Sequence, residues 1–374
     1  MPRRFLWLAL PAALLSGCAL FAGTAPLLPF TRPDVDAVTG VTDSVRYVIH
    51  ISVDGLRPDA VERLPLSEAS GFTRLRRESA WTHNARTDVD YRITLPNHTA
   101  QLTGRPVVGA NGHEWTVNTD PAPGVTLHSN RGAYVASVFD VVHDHGMATA
   151  AYVSKSKFSL FDVSYDADHG APDTTGADDG RDKIDRYVYE PNTNRLVDRL
   201  VADLHSDPAA YTFVHLRDPD AAGHIYTWSV RRGSRYLRAV ANADRLIEQI
   251  LEAVASDERL ARRTVVVVTA DHGGSGRWHF DDVPLHFTVP FYVWGPGIPV
   301  ADLYALNPAT RENPGAVQVP FSAPRQPIRN GDAANLSLAL LGLDAVPGST
   351  IGVPPLRVAP SRADTSAARV GTGG

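Results

Sequence analysis

The chain has 374 residues, 43% of them hydrophobic and 21% charged, with a formal net charge of -5. That is ordinary globular composition, and without a basic surplus it excludes a surface built to hold a nucleic-acid duplex. A single cysteine, Cys18, excludes an internal disulfide, while 14 histidines, several beside aspartates, point toward metal chemistry.

The first twenty residues read MPRRFLWLALPAALLSGCAL. Arg3 and Arg4 precede an apolar run over 5–15 that is too short for a standard transmembrane helix. Leu15-Ser16-Gly17-Cys18 then resembles the lipobox of bacterial lipoproteins. The resemblance implies a signal peptide over 1–17, lipid attachment at Cys18, and export to the extracytoplasmic face of a bacterial cell-envelope membrane, anchored without spanning it. A plain secretory signal with an incidental cysteine would also export the chain. Residues 18–44, with Pro26, Pro29 and Pro33, read as a tether.

The folded part is expected over 45–353. It opens on a β-branched apolar run at 47–53, the pattern of a buried strand, closed by Asp54-Gly55. RITLPNHTAQLTGR (92–105) places Thr94 two residues before Pro96, at the head of a short helical run that Gly104 closes. A helical pattern follows at 137–146, a strand at 148–154, a helix at 194–206 and a strand at 210–216. In the helix predicted at 234–256, Leu237, Val240, Ala241, Ile247, Ile250, Leu251 and Val254 follow one face. Strands at 264–269 and 289–297 come next, and 354–374, rich in Ala, Arg, Ser, Thr and Gly, reads as a disordered tail. Alternating strand and helix argues an α/β fold, a mostly parallel central sheet with helices on both faces. Ligands in such folds bind beyond the carboxyl ends of the strands. Asp54, Asp218-Pro219-Asp220 and Asp271-His272 each follow a predicted strand, so all three are expected at one edge.

Asp220 and His224 are four apart, which a helical turn places on one face, and Asp with His is a common ligand pair for zinc or a similar ion. An N-cap aspartate and a surface histidine would give the same spacing, and Asp218 fits a cap or a supporting partner. Asp271 and His272 can share an ion only where the chain has left the strand, which Gly273-Gly274 suggests. A plain turn reads the same way, as does Asp54-Gly55. A threonine at a helix start is ordinarily a cap, but such a terminus also favours phosphate, and metal coordination can activate a hydroxyl.

VDGLR, TLPNHTAQLTG, DPDAAGH and TADHGG, in that order, resemble the alkaline phosphatase superfamily, and within it the type I phosphodiesterase and nucleotide pyrophosphatase family. The resemblance runs in patches from about 48 to 296. It implies two divalent metal ions, zinc first, one held by Asp54, Thr94, Asp271 and His272, the other by Asp220, His224 and a last histidine. His279 has nearly the family's spacing before FYVWGPG and is favoured over His286. Asn118, with Asn111 as second choice, is expected to hold a phosphate oxygen. Thr94 then attacks phosphorus and forms a phosphothreonine that water hydrolyses, so the implied function is cleavage of phosphodiester or pyrophosphate bonds in small diesters or nucleotides.

Four other readings remain, one of them transfer of a phosphoryl-linked group to an acceptor other than water. Phosphonate hydrolysis also uses a threonine, and a phosphomonoesterase of the superfamily is possible although those generally use serine. A surface lipoprotein that binds metal or ligand without turnover is the reading from another class. A sulfatase of the main type, which requires a cysteine or serine converted to formylglycine, fits poorly with threonine at position 94. Tyr91, Trp115, Tyr226 and Trp228 are candidates to stack on a nucleobase, and Lys155 and Lys157 to meet a second phosphate. Each fits packing or solvated surface as well.

Overall fold

The run Tyr47–Val53 forms β1, buried over nearly its whole length, as expected where a strand has neighbours on both edges and layers on both faces. The computed structural model describes residues 39, 41, 45–65, 70–175, 177 and 180–360. The other strands are β2 (Ser79–Arg86), β3 (Thr149–Val153), β4 (Arg186–Tyr189), β5 (Tyr211–Leu216), β6 (Thr264–Thr269), β7 (Thr288–Trp294) and the short β8 (Ala301–Asp302). They make one sheet in the order β4-β3-β5-β1-β6-β7-β2-β8. From β4 to β6 every pairing is parallel, and only β7 runs against both of its neighbours. The expected mostly parallel sheet is what is found.

The helices that matter here are α1 (Thr94–Thr103), α2 (Val138–Asp144), α3 (Thr193–Ser206), α4 (Asp218–Tyr226), α5 (Arg235–Ser256) and α6 (Asp332–Leu340). On one face α5 packs against α3 and α4; on the other, α6 packs against α1 and α2 and onto β1 and β6. The apolar stripe predicted for α5 is its buried side, including Leu237, Val240, Ile247, Ile250, Leu251 and Val254. Ala241 is the exception, lying exposed. Among the described residues no helix is long and apolar enough to cross a membrane.

Two features of the sheet were not foreseen. β2, SAWTHNAR, is mostly polar and carries no apolar run, as suits a strand near the sheet's edge, and β4 is only four residues long. Packing also extends past the predicted limit at 353. Leu356 and Val358 are fully buried, and Val358 N donates to Thr39 O at 2.8 Å. Thr39 and Val41 are buried as well, so the last part of the expected tether and the first part of the expected tail belong to the core. Composition hid this because each segment finds its cover more than 300 positions away along the chain. The expected signal peptide, Cys18 and the stretch 361–374 lie outside the described residues.

Register places the site. Ser52 of β1 is level with His215 of β5 and Thr269 of β6. The three central strands therefore end together, and the residues that follow them emerge side by side.

Candidate metal centre

Asp54 follows β1 directly, Asp220 lies in the first turn of α4, and Asp271 and His272 come just after β6. All four are nearly or wholly buried. Gly55 lets them meet. Its φ is +72°, and a Cβ there would sit 2.9 Å from the Asp220 Cα. Only glycine tolerates both conditions, and the close approach lets Asp220 N donate to Asp54 O at 3.0 Å.

Each carboxylate has one oxygen engaged and one left over. Asp54 Oδ2 accepts from Lys155 Nζ (2.5 Å) and His215 Nε2 (3.0 Å). Asp220 Oδ2 accepts from Lys155 Nζ (2.6 Å). Asp271 Oδ1 accepts from Gly55 N (3.0 Å) and His272 N (2.9 Å). Asp54 Oδ1, Asp220 Oδ1 and Asp271 Oδ2 are buried without a hydrogen bond. Asp220 Oδ1 lies 3.2 Å from His224 Nε2 without a hydrogen bond to it. Unpaired buried oxygens are costly and rare.

The histidines complete the pattern. His272 Nδ1 donates to Gly273 O (2.8 Å), His224 Nδ1 to Arg277 O (3.0 Å), and His279 Nδ1 to Arg92 O. A carbonyl only accepts, so each Nδ1 carries the proton and each neutral ring turns its Nε2 lone pair inward. His272 Nε2 has no hydrogen-bond partner and faces Asp271 Oδ2 at 3.2 Å and Asp54 Oδ1 at 3.6 Å. His279 Nε2 is 3.2 Å from His224 Nε2, and the His279 ring stacks on His272 at 3.8 Å. Lone pairs aimed at carboxylate oxygens repel unless a cation sits between them. Two groups have ligand atoms all within 4.8 Å of one another: Asp54, Asp271 and His272, and Asp220, His272 and His279. Three imidazole nitrogens and three carboxylates, the rings held by backbone carbonyls, suit zinc-type ions.

The electrostatics agree. Burial raises the Asp271 carboxyl well above the usual range, and the negative charges of Asp54 and Asp220 add to it. Burial also pushes Asp54 up, but Lys155 and the imidazoles of His215 and His272 together bring it well below that range. Asp220 is lowered too, with burial and Asp54 opposed by Lys155 and His224. Burial lowers His272 and His279 and keeps them neutral; the Asp220 carboxylate, 3.2 Å away, raises the half-exposed His224. Lys155 would be lowered by burial, yet its two aspartates hold it above the usual lysine value. A divalent ion would supersede these balances.

Thr94 is the first residue of α1 and is buried. The cap position belongs to Ile93, whose side chain cannot accept a bond, so the Thr94 hydroxyl is not the helix cap. Asn118 takes that part, its Oδ1 accepting from Leu95 N at 2.9 Å. One turn on, His98 Nδ1 donates to Thr94 O (2.8 Å) and lies 3.6 Å from Asp271 Oδ2, while Ser52 Oγ bonds its Nε2 (2.8 Å). The head of α1 is thereby tied to Asp271 and to β1.

Other candidates fall elsewhere. His286 is outside both groups; it bonds Ser275 Oγ (2.7 Å) and Asp281 O (3.1 Å) and closes the loop that presents His279. Asp218 accepts from Thr193 Oγ1 (2.5 Å) and Asn242 Nδ2 (3.0 Å), a structural anchor. Asn111 is exposed, and its backbone O accepts from Arg105. Trp115 and Trp228 are 2% exposed and cannot stack on a ligand. Trp228 lies against Gly223 and Gly274, where a Cβ would come within 2.3 and 2.4 Å of its ring, and its face abuts His224. Sequence reasoning missed His215, a lone strand histidine, and Lys155, a candidate for a second phosphate or for packing, lies between two aspartates.

Comparison with known proteins adds three findings. Residues 48–277, more than half of the chain, match the family model described as type I phosphodiesterase / nucleotide pyrophosphatase. GPI ethanolamine phosphate transferase 1 of Emericella nidulans is 30% identical over 161 residues, which cover 42% of this chain and 17% of that enzyme. The chain thus spans less than a fifth of that relative's length. Among solved structures, murine ectonucleotide pyrophosphatase / phosphodiesterase 5, an inactive form in complex with AMP, superposes with a TM-score of 0.54 at 14% identity, over 81% of this chain and 96% of that one. An alkaline phosphatase superfamily protein from Vibrio parahaemolyticus gives 0.51 at 15% identity, over 82% and 68%. Both likenesses concern the fold.

Proposed function

The chain belongs to the type I phosphodiesterase / nucleotide pyrophosphatase family, and from that premise we propose that it hydrolyses phosphodiester or pyrophosphate bonds of small diesters or nucleotides at the Asp54–His272 centre. The observation that carries the reading is the set of spare acceptors: three carboxylate oxygens and the His272 Nε2, all buried, all without hydrogen bonds, all at one strand edge. Asp54, Asp271, His272 and Thr94 would hold one divalent ion, and Asp220, His224 and His279 the other. The ions, zinc by their donor set, would polarise the phosphoryl group, lower the Thr94 hydroxyl pKa and neutralise the departing oxygen.

The chain's own residues do the rest. Thr94 Oγ1, its proton lost to solvent, attacks phosphorus in line, the P–O bond to the leaving group breaks and that oxygen takes up a proton, and a phosphothreonine that still carries the second ester group of the substrate remains for water to cleave to the monoester. Asn118 has spent Oδ1 on Leu95 N, which leaves its Nδ2 to donate to a non-bridging oxygen. Backbone carbonyls of Gly273, Arg277 and Arg92 fix the tautomers of the three histidines. Through Cys18 the enzyme would be exported and anchored by lipid to the cell envelope.

The likeness to an ethanolamine phosphate transferase supports a second reading, in which an alcohol replaces water as acceptor. One experiment addresses both. Purified protein is given bis-p-nitrophenyl phosphate, dinucleotides, nucleoside phosphates, a lipid head-group diester and a phosphonate, with and without added glycerol. The proposal expects diester turnover that Thr94→Ala abolishes. Transfer would show as phosphoglycerol product, and turnover undiminished in Thr94→Ala would end both readings.

A further inference from the structure

Monomeric surfaces seldom gather exposed apolar side chains without a purpose. Here five of the eleven large ones exposed among the described residues lie on the three segments that carry Asn118, His224 and His279. Val117 precedes Asn118. Ile225 (56% exposed) and Tyr226 follow His224 at the end of α4. Trp278 (63% exposed) and Phe280 flank His279, whose ring is 4.5 Å from Phe280. The last two segments meet, since the His224 and His279 rings lie 5.0 Å apart and Trp228 N donates to Gly276 O at 3.0 Å, while Asn118 bonds the head of α1.

Charge accompanies this rim although the whole chain is acidic. The loop that leaves Trp228 carries exposed Arg231 and Arg232, exposed Arg235 opens α5, and Arg277 stands beside Trp278. The Arg235 guanidinium sits 5.4 Å over the Tyr226 ring. Asp281 and Asp282 oppose them, but Asp282 is 3.6 Å from the Arg92 guanidinium. A clamp for one nucleobase would need parallel faces. Trp278 and Phe280 are instead tilted by 40° at 6.1 Å, and aliphatic Ile225 and Val117 share the rim. Exposed tryptophan, tyrosine and aliphatic side chains backed by arginines are what an anionic lipid interface selects.

We propose that this rim seats the mouth of the site on an anionic bilayer surface, so that phosphodiesters presented by the membrane meet Thr94 directly. Seating is a binding property and does not depend on turnover, so it can fail while the catalytic reading stands, and the reverse.

The test uses the full chain with Cys18→Ser, which leaves no other cysteine, and a fluorophore on Trp278→Cys. Phe280→Cys provides a second rim position and Tyr189→Cys an exposed position on β4 as control. Each is mixed with vesicles carrying a lipid-bound quencher, of phosphatidylglycerol or of phosphatidylcholine, and separately with AMP. The proposal expects strong loss of fluorescence at 278 and 280 on phosphatidylglycerol, weaker loss on phosphatidylcholine and none at 189. Charge removal at Arg231 and Arg232 should weaken vesicle binding on the order of fivefold per unit charge. Equal quenching at 278 and 189, or a response at 278 to AMP but not to vesicles, overturns it.

Discussion

Removing the Lys155 ammonium tests the electrostatics of the centre. Its Nζ lies 2.5 Å from Asp54 Oδ2 and 2.6 Å from Asp220 Oδ2. The aspartate side chains are 0% and 5% exposed and the lysine 13%. At an effective dielectric of about 20, each contact is worth about 6 kcal/mol before desolvation is subtracted. Deleting one partner of a buried pair typically costs about 3–5 kcal/mol, because the remaining charge is stranded. Lys155→Met keeps most of the stem and loses the charge. In chelator it should therefore lose about 3–5 kcal/mol of unfolding free energy, out of the ~5–15 kcal/mol of a typical domain. Saturating divalent ion should close most of that gap, since the ion takes over the stranded carboxylates. Linkage then requires the variant to bind the ion more tightly by the same free energy, roughly a hundredfold to several thousandfold. Urea titrations of both proteins, each with chelator and with zinc, read all of these quantities. A deficit equal with and without zinc, or no deficit in chelator, would refute the view that Lys155 and the cations serve the same carboxylates.

Three further outcomes are expected. Gly55→Ala forces a side chain into φ +72° and within 2.9 Å of the Asp220 Cα; a loss of about 1–3 kcal/mol together with weaker metal binding should appear in denaturation and calorimetry, and unchanged metal affinity would show that Gly55 does not position Asp220. Asn118→Ala should lower kcat/KM roughly 100- to 1000-fold, and Asn118→Asp, which keeps the acceptor for Leu95 N but not the donor, should be nearly as impaired; full activity in Asn118→Asp would leave Asn118 only its capping role. Burial lowers His50 and His113 to about 3 in the fold, against about 6.5 unfolded. Between those values the unfolded chain binds protons that the folded one refuses, so stability is complete above about pH 6.5 and falls as pH drops toward 3, by about 1.4 kcal/mol per unit per histidine. Denaturation across that range should lose part of this slope in His50→Gln, and an unchanged slope would contradict the assignment.

How much could be read beforehand follows from what each residue depends on. The β-branched runs of β1 and β6 carry a local period, so both strands were legible, and with them the placing of Asp54, Asp271 and His272 at strand ends. Asp220 and His224 were legible because a four-residue spacing is a local property of a helix. Lys155 was not, because its partners follow from β3 lying beside β5, a neighbour reached only by a crossover. His215 was hidden for the same reason: its bond to Asp54 exists because β5 pairs with β1. Spacing before FYVWGPG favoured His279 over His286; that His286 instead closes the loop through Ser275 and Asp281 is a contact spacing cannot show. The reversed direction of β7 and the packing of 356–358 on Thr39 likewise depend on distant partners.

Anomalous diffraction at the zinc edge, from crystals soaked in zinc, tests the proposed centre most directly. Two peaks are predicted, one among Asp54, Asp271, His272 and Thr94, the other among Asp220, His224 and His279. One peak alone, or ions bound elsewhere with Thr94 contacting neither, would contradict the account.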